Sequence, residues 1–345
     1  MRAFQFVQAQ KPGELREVPV PEPGPGQALV KVGGAGACHS DLHLMEAPAE
    51  RLPELPLTLG HENAGWVEKL GPGVTGFAPG DPVMVYGPWG CGLCAECREG
   101  RENYCQTTGG LGGGLGGGHQ GGMAEYLLVP ASRFLIPLGT LDPRDAAPLA
   151  DAGLTSYHAV KRSLHLLGPG STAVVIGAGG LGQMAIQCLR ALSAATTVVA
   201  VDTAADKLET AKRLGADEAL LSGEDAVTRI KDITRGQGAE LVLDMVAVNP
   251  TLRMAAQVAR VRGHLTIVGL GSGALPVNFS SPPHECSVAS PYWGPIPELV
   301  EVITLAQQQK IKMLVEHFPL EHAGEAYRLL HEGKIPGRAV ITPNG

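Results

Sequence analysis

The sequence predicts an α/β protein with two domains, because the hydrophobic pattern changes near the middle of the chain. Before about residue 150, short β-rich segments separated by proline and glycine predict a mainly antiparallel, barrel-like domain. From about residue 168, apolar strands alternate with amphipathic helices, which predicts a doubly wound parallel sheet. The length of 345 residues also favours two domains over a single hydrophobic core.

Individual strands follow from β-rich runs bounded by turn residues. In the first half, the predicted strands are 28–32, 64–70, 81–86 and 123–129. In the second half, with helices between them, the predicted strands are 171–176, 197–201, 219–221, 239–245, 264–270 and 287–290. A helix over 298–309 and a strand over 338–342 are expected to complete the fold.

Composition and charge exclude several classes of protein. A net charge of −7 argues against a nucleic-acid-binding surface, which usually requires a basic face. No apolar run approaches the roughly 20 residues that span a bilayer, and Met1 is not followed by an export signal. We therefore expect a soluble cytoplasmic protein with no nucleic-acid or membrane partner. Seven cysteines in a reducing compartment favour metal binding or catalysis over disulfides.

Four cysteines in one short stretch predict a metal site. The segment CGLCAECREGRENYC contains Cys91, Cys94, Cys97 and Cys105. Two residues separate each of the first three cysteines from the next, and seven residues separate the third from the fourth. Four thiolates complete the tetrahedral coordination of a zinc-type ion, with sulfur–metal distances of about 2.3 Å. The set leaves no position for a substrate, so we predict a structural metal. Disulfides or chance clustering of buried thiols are the alternatives.

A glycine-rich turn predicts a dinucleotide site. The strand at 171–176 leads into the pattern GxGxxG, formed by Gly177, Gly179 and Gly182, and a predicted helix follows at once. Glycine there lets the backbone approach a pyrophosphate at the positive end of the helix. Asp202, twenty residues after Gly182, is placed to bond both adenosine ribose hydroxyls and to repel a 2′-phosphate, which favours NAD over NADP. A structural glycine turn without a ligand is the alternative.

Cys38 and His61 are candidate ligands of a second metal, but their spacing does not establish a site. The two residues are 23 positions apart, and neither belongs to a local metal-binding pattern. A single buried cysteine or histidine is usually part of a core. The spacing alone therefore leaves both interpretations open.

A resemblance to a known family resolves that choice. The segment GHENAGWVEKLGPGV, at 60–74, is similar to the zinc signature of medium-chain alcohol dehydrogenases. The four-cysteine segment and the dinucleotide unit also occur in that family's order, and the resemblance covers essentially the whole chain. VYGPWGCG at 85–92 and PYWG at 291–294 resemble bacterial secondary-alcohol dehydrogenases in particular.

The resemblance implies a catalytic zinc bound by Cys38, His61 and Asp151. The third ligand of the family precedes a Gly-x-Thr-x-Tyr pattern, which Asp151 does here. Many family members carry cysteine at that position, so this chain replaces a soft ligand by a hard one that zinc also accepts. An ordinary structural aspartate is the alternative. Glu62 resembles the family carboxylate that approaches the zinc transiently during ligand exchange.

The resemblance also implies a path for the alcohol proton. Ser40 resembles the residue that bonds the substrate oxygen. The resemblance implies that the proton then passes to the cofactor ribose and that His43 transfers it to solvent. An imidazole suits this task because its unperturbed pKa is about 6.5. A surface or pocket-lining histidine is the alternative for His43.

Further cofactor contacts are implied in the same way. His39 and Arg338 resemble residues that contact the pyrophosphate, and Thr155 resembles a residue beside the nicotinamide. Lys207, five residues after Asp202, is placed to reach the adenosine ribose. A surface salt bridge for Arg338 and a solvated surface lysine for Lys207 are the alternatives.

Together these features predict an NAD-dependent zinc alcohol dehydrogenase that interconverts alcohols, mainly secondary, with ketones or aldehydes. Two zinc ions per chain and a small-molecule alcohol or ketone substrate are expected. A polyol or amino-alcohol dehydrogenase of the same fold is the first alternative. A non-catalytic NAD-binding redox sensor is the second, and it predicts cofactor binding without turnover.

The domain assignment follows the same resemblance. Residues 1–151 and 291–345 are predicted to form a GroES-like catalytic domain with a structural zinc lobe at about 88–106, and residues 152–290 a Rossmann NAD-binding domain. Members of that family commonly form oligomers through the edge of the nucleotide-binding sheet, so the resemblance implies a homodimer or homotetramer. The segment 109–122, GGLGGGLGGGHQGG, is expected to be a flexible loop, with a role beside an active site left open.

Overall fold

A computed structural model describes all 345 residues, which divide into two compact units. Unit 1 comprises residues 1–154, 295–307 and 313–345, and unit 2 comprises residues 155–294 and 308–312. The sequence interpretation had placed 308–312 in the first domain. In the structure this segment joins unit 2, where the backbone N–H and carbonyl of Lys312 bond the Gln187 side chain at 2.9 and 3.0 Å.

The chain forms sixteen strands and ten α-helices. The strands are β1 (Arg2–Phe6), β2 (Glu14–Glu17), β3 (Ala28–Ala37), β4 (Leu57–Thr58), β5 (Glu62–Leu70), β6 (Pro82–Val85), β7 (Tyr126–Val129), β8 (Leu135–Pro137), β9 (Thr172–Ile176), β10 (Thr197–Asp202), β11 (Glu218–Leu221), β12 (Ala239–Asp244), β13 (Ala259–Ile267), β14 (Ser287–Ala289), β15 (Val315–Pro319) and β16 (Arg338–Thr342). The helices are α1 (His39–Glu46), α2 (Ala95–Arg98), α3 (Pro143–Ala146), α4 (Ala152–Lys161), α5 (Gly180–Leu192), α6 (Ala205–Arg213), α7 (Glu224–Ile233), α8 (Asn249–Val258), α9 (Ile296–Gln307) and α10 (Ala323–His331).

The sheets of unit 1 are mainly antiparallel, as the sequence predicted. One sheet has the order β2-β1-β4, and the other has the order β15-β16-β3-β5-β6-β8 with β7 also paired to β3. Only β15 and β16 pair in parallel. The register places Gly36 of β3 opposite Glu62 of β5, and Ala37 opposite Ala339 of β16. The pairing therefore brings the end of β3 and the beginnings of β5 and β16 to one place.

Unit 2 is a doubly wound domain with six parallel strands. The strand order is β11-β10-β9-β12-β13-β14, and every neighbouring pair is parallel. Val174, Val199, Val242 and Leu265, on four neighbouring strands, are fully buried in its core. This order is that of a dinucleotide-binding fold, in which ligands bind at the carboxyl ends of the strands where the order reverses. The predicted α/β fold class is confirmed.

Some elements differ from the sequence prediction. β13 begins at Ala259, five residues before the predicted start at 264. Its first residues are irregular, because Arg262 has a positive φ of 61° and the pairing with β12 shifts register after Ala239. The sequence interpretation also omitted β1, β2, β4, β8 and β15. β2 is exposed along its whole length, so it has no hydrophobic alternation to detect.

Parts of the glycine-rich segment 109–122, which the sequence analysis expected to be a flexible loop, pack closely on neighbouring backbone. A Cβ on Gly112 would lie 1.7 Å from the Gly87 carbonyl oxygen, and one on Gly121 would lie 2.4 Å from the Leu59 oxygen. The amides of Gly121 and Gly122 donate to the carbonyls of Thr58 and Gly60 at 2.8 and 2.9 Å. Glycine is required here because backbone packs directly on backbone.

Candidate metal centres and cofactor site

The four predicted cage cysteines come together in one lobe of unit 1. Cys94 is 3.5 Å from Cys97 and 4.0 Å from Cys105, and Cys91 is 4.0 Å from Cys97, measured between sulfur atoms. A tetrahedral ion with sulfur–metal bonds of about 2.3 Å separates its sulfurs by about 3.8 Å. The observed separations match that value, so these side chains fit a four-coordinate metal without rearrangement.

Backbone amides and hydroxyls stabilise negative charge on the cage sulfurs. The Leu93 and Cys94 amides donate to the Cys91 sulfur at 3.4 Å. Burial raises the pKa of Cys105, but hydrogen bonds from Thr108 and from backbone amides outweigh it and lower the pKa to about 5. Burial also raises the pKa of Cys97. A cation is therefore needed to hold all four sulfurs as thiolates.

Cys38, His61, Glu62 and Asp151 form a second cluster of metal-binding side chains in unit 1. One donor atom from each lies within 4.8 Å of the others. The Asp151 Oδ2 is 3.9 Å from the Cys38 sulfur and 3.6 Å from the His61 Nε2. Cys38 follows β3, His61 directly precedes β5 and Glu62 begins it, so the β3–β5 register assembles these three residues.

Arg338 lies within this second cluster. Its guanidinium forms an ion pair with Glu62, and the distance from Nε to Oε2 is 3.0 Å. Its Nη2 also lies 3.2 Å from the Cys38 sulfur and 3.8 Å from the Asp151 Oδ2. Cys38, Glu62 and Asp151 carry three formal negative charges when ionised, and Arg338 offsets one of them. Thiolate, imidazole and carboxylate are all donors that zinc accepts, so the donor set fits zinc.

Asp41 is a functional residue that the sequence analysis missed. Its carboxylate is completely buried, with Oδ1 at 3.0 Å from the His61 Nδ1. Its Oδ2 accepts hydrogen bonds from the Cys38 amide at 3.0 Å and from the Tyr327 hydroxyl at 2.8 Å. An acidic residue three positions after a helix N-cap often bonds the N-cap amide, and the segment CHSD contained that signal.

Asp41 also contributes to the raised pKa of His61. Burial lowers the pKa of His61, but the negative charge of Asp41 and hydrogen bonds with Asp151, Asp41 and Cys38 together outweigh it and raise the pKa well above its ordinary value. Binding of a cation at Nε2 therefore releases a proton. A carboxylate at the other ring nitrogen also fixes the orientation of a metal-binding histidine.

The residues predicted to carry the proton lie on α1. The Ser40 hydroxyl is 3.2 Å from the His61 Nε2, which places it beside the second cluster. His43 lies one turn later on the same helix and is exposed, while His39 is exposed at the first position of that helix. Ser40 therefore adjoins the ligand atoms, and His43 adjoins solvent.

The glycine turn in unit 2 has the geometry of a dinucleotide site. Gly177 directly follows β9 with a φ of 93°, and Gly179 is the N-cap of α5. A Cβ on Gly182 would lie 1.9 Å from the Gly177 carbonyl oxygen, so helix and turn pack closer than any other residue allows. The Asp202 carboxylate accepts hydrogen bonds from the amides of Ala178 and Ala204 at 2.7 and 3.0 Å.

These two hydrogen bonds hold the Asp202 side chain, at the end of β10, against the glycine turn. Lys207 lies half-buried on the following helix, α6, and Thr155 is buried on α4. The cofactor contacts assigned to these residues, and to His39 and Arg338, remain predictions. For Arg338 the structure adds the ion pair with Glu62, which the sequence analysis did not anticipate.

Two families match most of the chain. "Alcohol dehydrogenase GroES-like domain" matches residues 24–140, and "Zinc-binding dehydrogenase" matches residues 180–308. The first match contains Cys38, His61 and the cysteine cage, and the second contains Asp202. None of the helices in the structure has both the length and the apolar character needed to cross a membrane.

Relatives and solved structures extend over almost the whole chain. A protein named NAD-dependent alcohol dehydrogenase from Sulfurisphaera tokodaii is 38% identical, covering 99% of this chain and 100% of the relative. A D-arabinose 1-dehydrogenase (NADP(+)) from Saccharolobus solfataricus is 34% identical, covering 99% of this chain and 97% of the relative. The crystal structure of the alcohol dehydrogenase from Aeropyrum pernix superimposes with a TM-score of 0.92 at 35% identity, covering 99% and 100% of the two chains.

Proposed function

Because this chain belongs to the zinc-binding alcohol dehydrogenase family, we propose that its NAD-dependent oxidation of alcohols depends on a catalytic zinc and acts mainly on secondary alcohols. The reaction is reversible and gives ketones or aldehydes. One observation carries the proposal: Cys38, His61 and Asp151 converge beside the Ser40 hydroxyl. Thiolate, imidazole and carboxylate donors within 4.8 Å of one another, Glu62 included, are a set that zinc accepts.

Cys38, His61 and Asp151 are the proposed ligands of the catalytic zinc. Three protein ligands leave the fourth tetrahedral position free for a substrate oxygen. When bound, zinc acts as a Lewis acid that makes an alcohol hydroxyl more acidic, and NAD supplies the hydride acceptor. Arg338 holds Glu62 beside the ligands in a buried ion pair, which keeps the carboxylate available without leaving it unpaired.

Ser40, the cofactor ribose and His43 provide the proposed route for the alcohol proton, in that order. The Ser40 hydroxyl, 3.2 Å from the His61 Nε2, is placed to accept the proton of an alcohol bound at the same centre. His43 lies three residues after Ser40 on α1 and is exposed. Residues three apart share one face of a helix. An exposed imidazole exchanges protons with solvent readily near neutral pH.

The cofactor preference follows from Asp202. Its carboxylate lies at the end of β10, where it also bonds the Ala178 amide of the glycine turn. A negative charge held at that point accepts hydrogen bonds from ribose hydroxyls and repels a 2′-phosphate. This arrangement supports NAD, although the D-arabinose dehydrogenase relative is named for NADP(+).

That relative also supports a second candidate function. A protein 34% identical over nearly the whole chain is named for oxidation of a sugar, so a polyol substrate is the main rival to a secondary alcohol. The secondary-alcohol preference is supported by VYGPWGCG at 85–92 and PYWG at 291–294, which resemble enzymes of that specificity. A non-catalytic redox sensor would not need a second cluster with an adjacent hydroxyl.

A metal count combined with a substrate panel tests the proposal. We expect two zinc ions per chain, one removed readily by a chelator and one retained by the cysteine cage. With NAD, 2-alkanols and 1-arylethanols should be oxidised faster than primary alcohols, sorbitol, butanediol, threonine or D-arabinose. A single retained metal would contradict the catalytic zinc. Rapid oxidation of sugars or polyols with slow oxidation of 2-alkanols would favour the rival function.

We also propose that the protein is a homodimer or homotetramer. Val277 and Phe279, which precede the edge strand β14, are 72% and 88% exposed. Exposed apolar side chains and an edge strand that is unpaired on its outer side both favour association with another chain. Light scattering coupled to size-exclusion chromatography should give at least twice the 35.9 kDa chain mass. A monomer at micromolar concentration would contradict this proposal.

A further inference from the structure

We infer that Tyr327, on helix α10, is a positioning residue for the second metal cluster, because its hydroxyl fixes the Asp41 carboxylate that contacts both Cys38 and His61. The inference rests on the proposed function, since it takes Cys38 and His61 to be ligands of the catalytic zinc. It assigns a role at the metal centre to a residue 286 positions from Asp41 in the chain.

Asp41 is the shared support of two ligand residues. Its Oδ2 accepts the Cys38 amide, which fixes the backbone of one ligand, and its Oδ1 lies against the His61 ring, which orients the other. A carboxylate with no solvent exposure requires hydrogen bonds to remain ionised. Any donor that determines the position of this carboxylate therefore acts on both ligands at once.

Tyr327 is held so that it can be such a donor. The side chain is only 4% exposed, and its ring stacks on Phe4 with a centroid distance of 6.0 Å. The hydroxyl lies 2.8 Å from the Asp41 Oδ2 and 3.2 Å from the Met123 sulfur. It has a single proton, and a carboxylate is a much stronger acceptor than a thioether. Its hydrogen bond therefore goes to Asp41.

The protonation of Tyr327 agrees with this role. Burial raises the pKa of Tyr327 well above its ordinary value, and the negative charge of Asp41 raises it further. The phenol therefore stays protonated and remains a donor. Removal of the hydroxyl would leave Oδ2 with the Cys38 amide alone, so the carboxylate could turn away from His61.

The test substitutes Tyr327→Phe in the full-length, metal-loaded protein, because phenylalanine keeps the ring and removes only the hydroxyl. Loss of a group that orients a metal ligand typically lowers metal affinity about 10–100-fold. We expect the chelator-labile zinc to leave at least about tenfold faster, measured with a colorimetric chelator. Release from the Cys91, Cys94, Cys97 and Cys105 cage should not change, so the cage is an internal control.

A packing control separates the hydroxyl from the ring. Phe4→Leu disturbs the stack on Tyr327 but leaves the hydrogen bond to Asp41 in place. Its release of the labile zinc should stay within about twofold of the wild-type rate, a smaller change than loss of a ligand-orienting group causes. Equal acceleration by Phe4→Leu and Tyr327→Phe would overturn the inference, because it would show a packing effect.

A double-mutant cycle shows whether Tyr327 acts through Asp41. In an Asp41→Ala background, Tyr327→Phe should accelerate release no further, whereas additive effects would overturn the inference. If Asp41→Ala does not fold, the comparison of Tyr327→Phe with Phe4→Leu still shows whether the hydroxyl or the packing of the ring controls release of the labile zinc. A wild-type protein with only the cage metal would contradict the proposed function. Two wild-type metals with an unchanged release rate in Tyr327→Phe would contradict this inference alone.

Discussion

Replacing Cys38 by alanine is expected to abolish alcohol oxidation while leaving NAD affinity nearly unchanged. Cys38 supplies the only sulfur among the three proposed ligands of the catalytic zinc, whereas the predicted glycine turn and Asp202 belong to unit 2. Lewis-acid catalysis contributes several kcal/mol, so kcat should fall by about a thousandfold or more. Steady-state kinetics with a 2-alkanol and calorimetric titration with NAD measure the two effects separately.

The metal content provides the second measurement for this variant. Cys38→Ala should retain the cage metal and lose the labile one, so the count should fall from two to one per chain. Cys286→Ala is a matched control, because Cys286 lies half-buried in unit 2 and outside both clusters. That control should keep two metals and wild-type turnover. Full activity in Cys38→Ala, or an unchanged metal count, would refute the assignment of the catalytic zinc.

The sequence predicted the features whose signals are local. The cage follows from cysteines within one short segment, and the dinucleotide turn follows from glycines between a strand and a helix. In both cases the residues are so few positions apart in the sequence that they must lie close together in the structure. The parallel sheet was also predictable, because its strands are buried on both faces and are nearly continuous apolar runs.

The second cluster of metal-binding side chains could not be predicted from spacing. Cys38 and His61 meet because β3 pairs with β5 in a particular register, and Asp151 joins them from a distant segment. Only the family resemblance suggested these three residues. The Asp41–Tyr327 hydrogen bond and the Glu62–Arg338 pair join residues as many as 286 positions apart, and no local pattern encodes them. Only the bond from the Cys38 amide to Asp41 has a local signal.

Replacing Arg338 by methionine is expected to lower the free energy of unfolding by about 3–5 kcal/mol, because it leaves a buried charge without its partner. Glu62 is completely buried, and the Arg338 side chain is 5% exposed. Arg328→Met is the control, since the Arg328 side chain is 55% exposed in its pair with Glu332 and should cost no more than about 1 kcal/mol. Urea unfolding followed by circular dichroism gives the two midpoints and slopes.

Adding Glu62→Gln to Arg338→Met removes the unpaired charge, so part of the lost stability should return. This double variant also separates two roles of Arg338. If the guanidinium contacts the cofactor pyrophosphate as well, the Kd for NAD should rise in the single variant and stay raised in the double one. A single variant as stable as Arg328→Met would show that the buried ion pair with Glu62 contributes nothing to the fold.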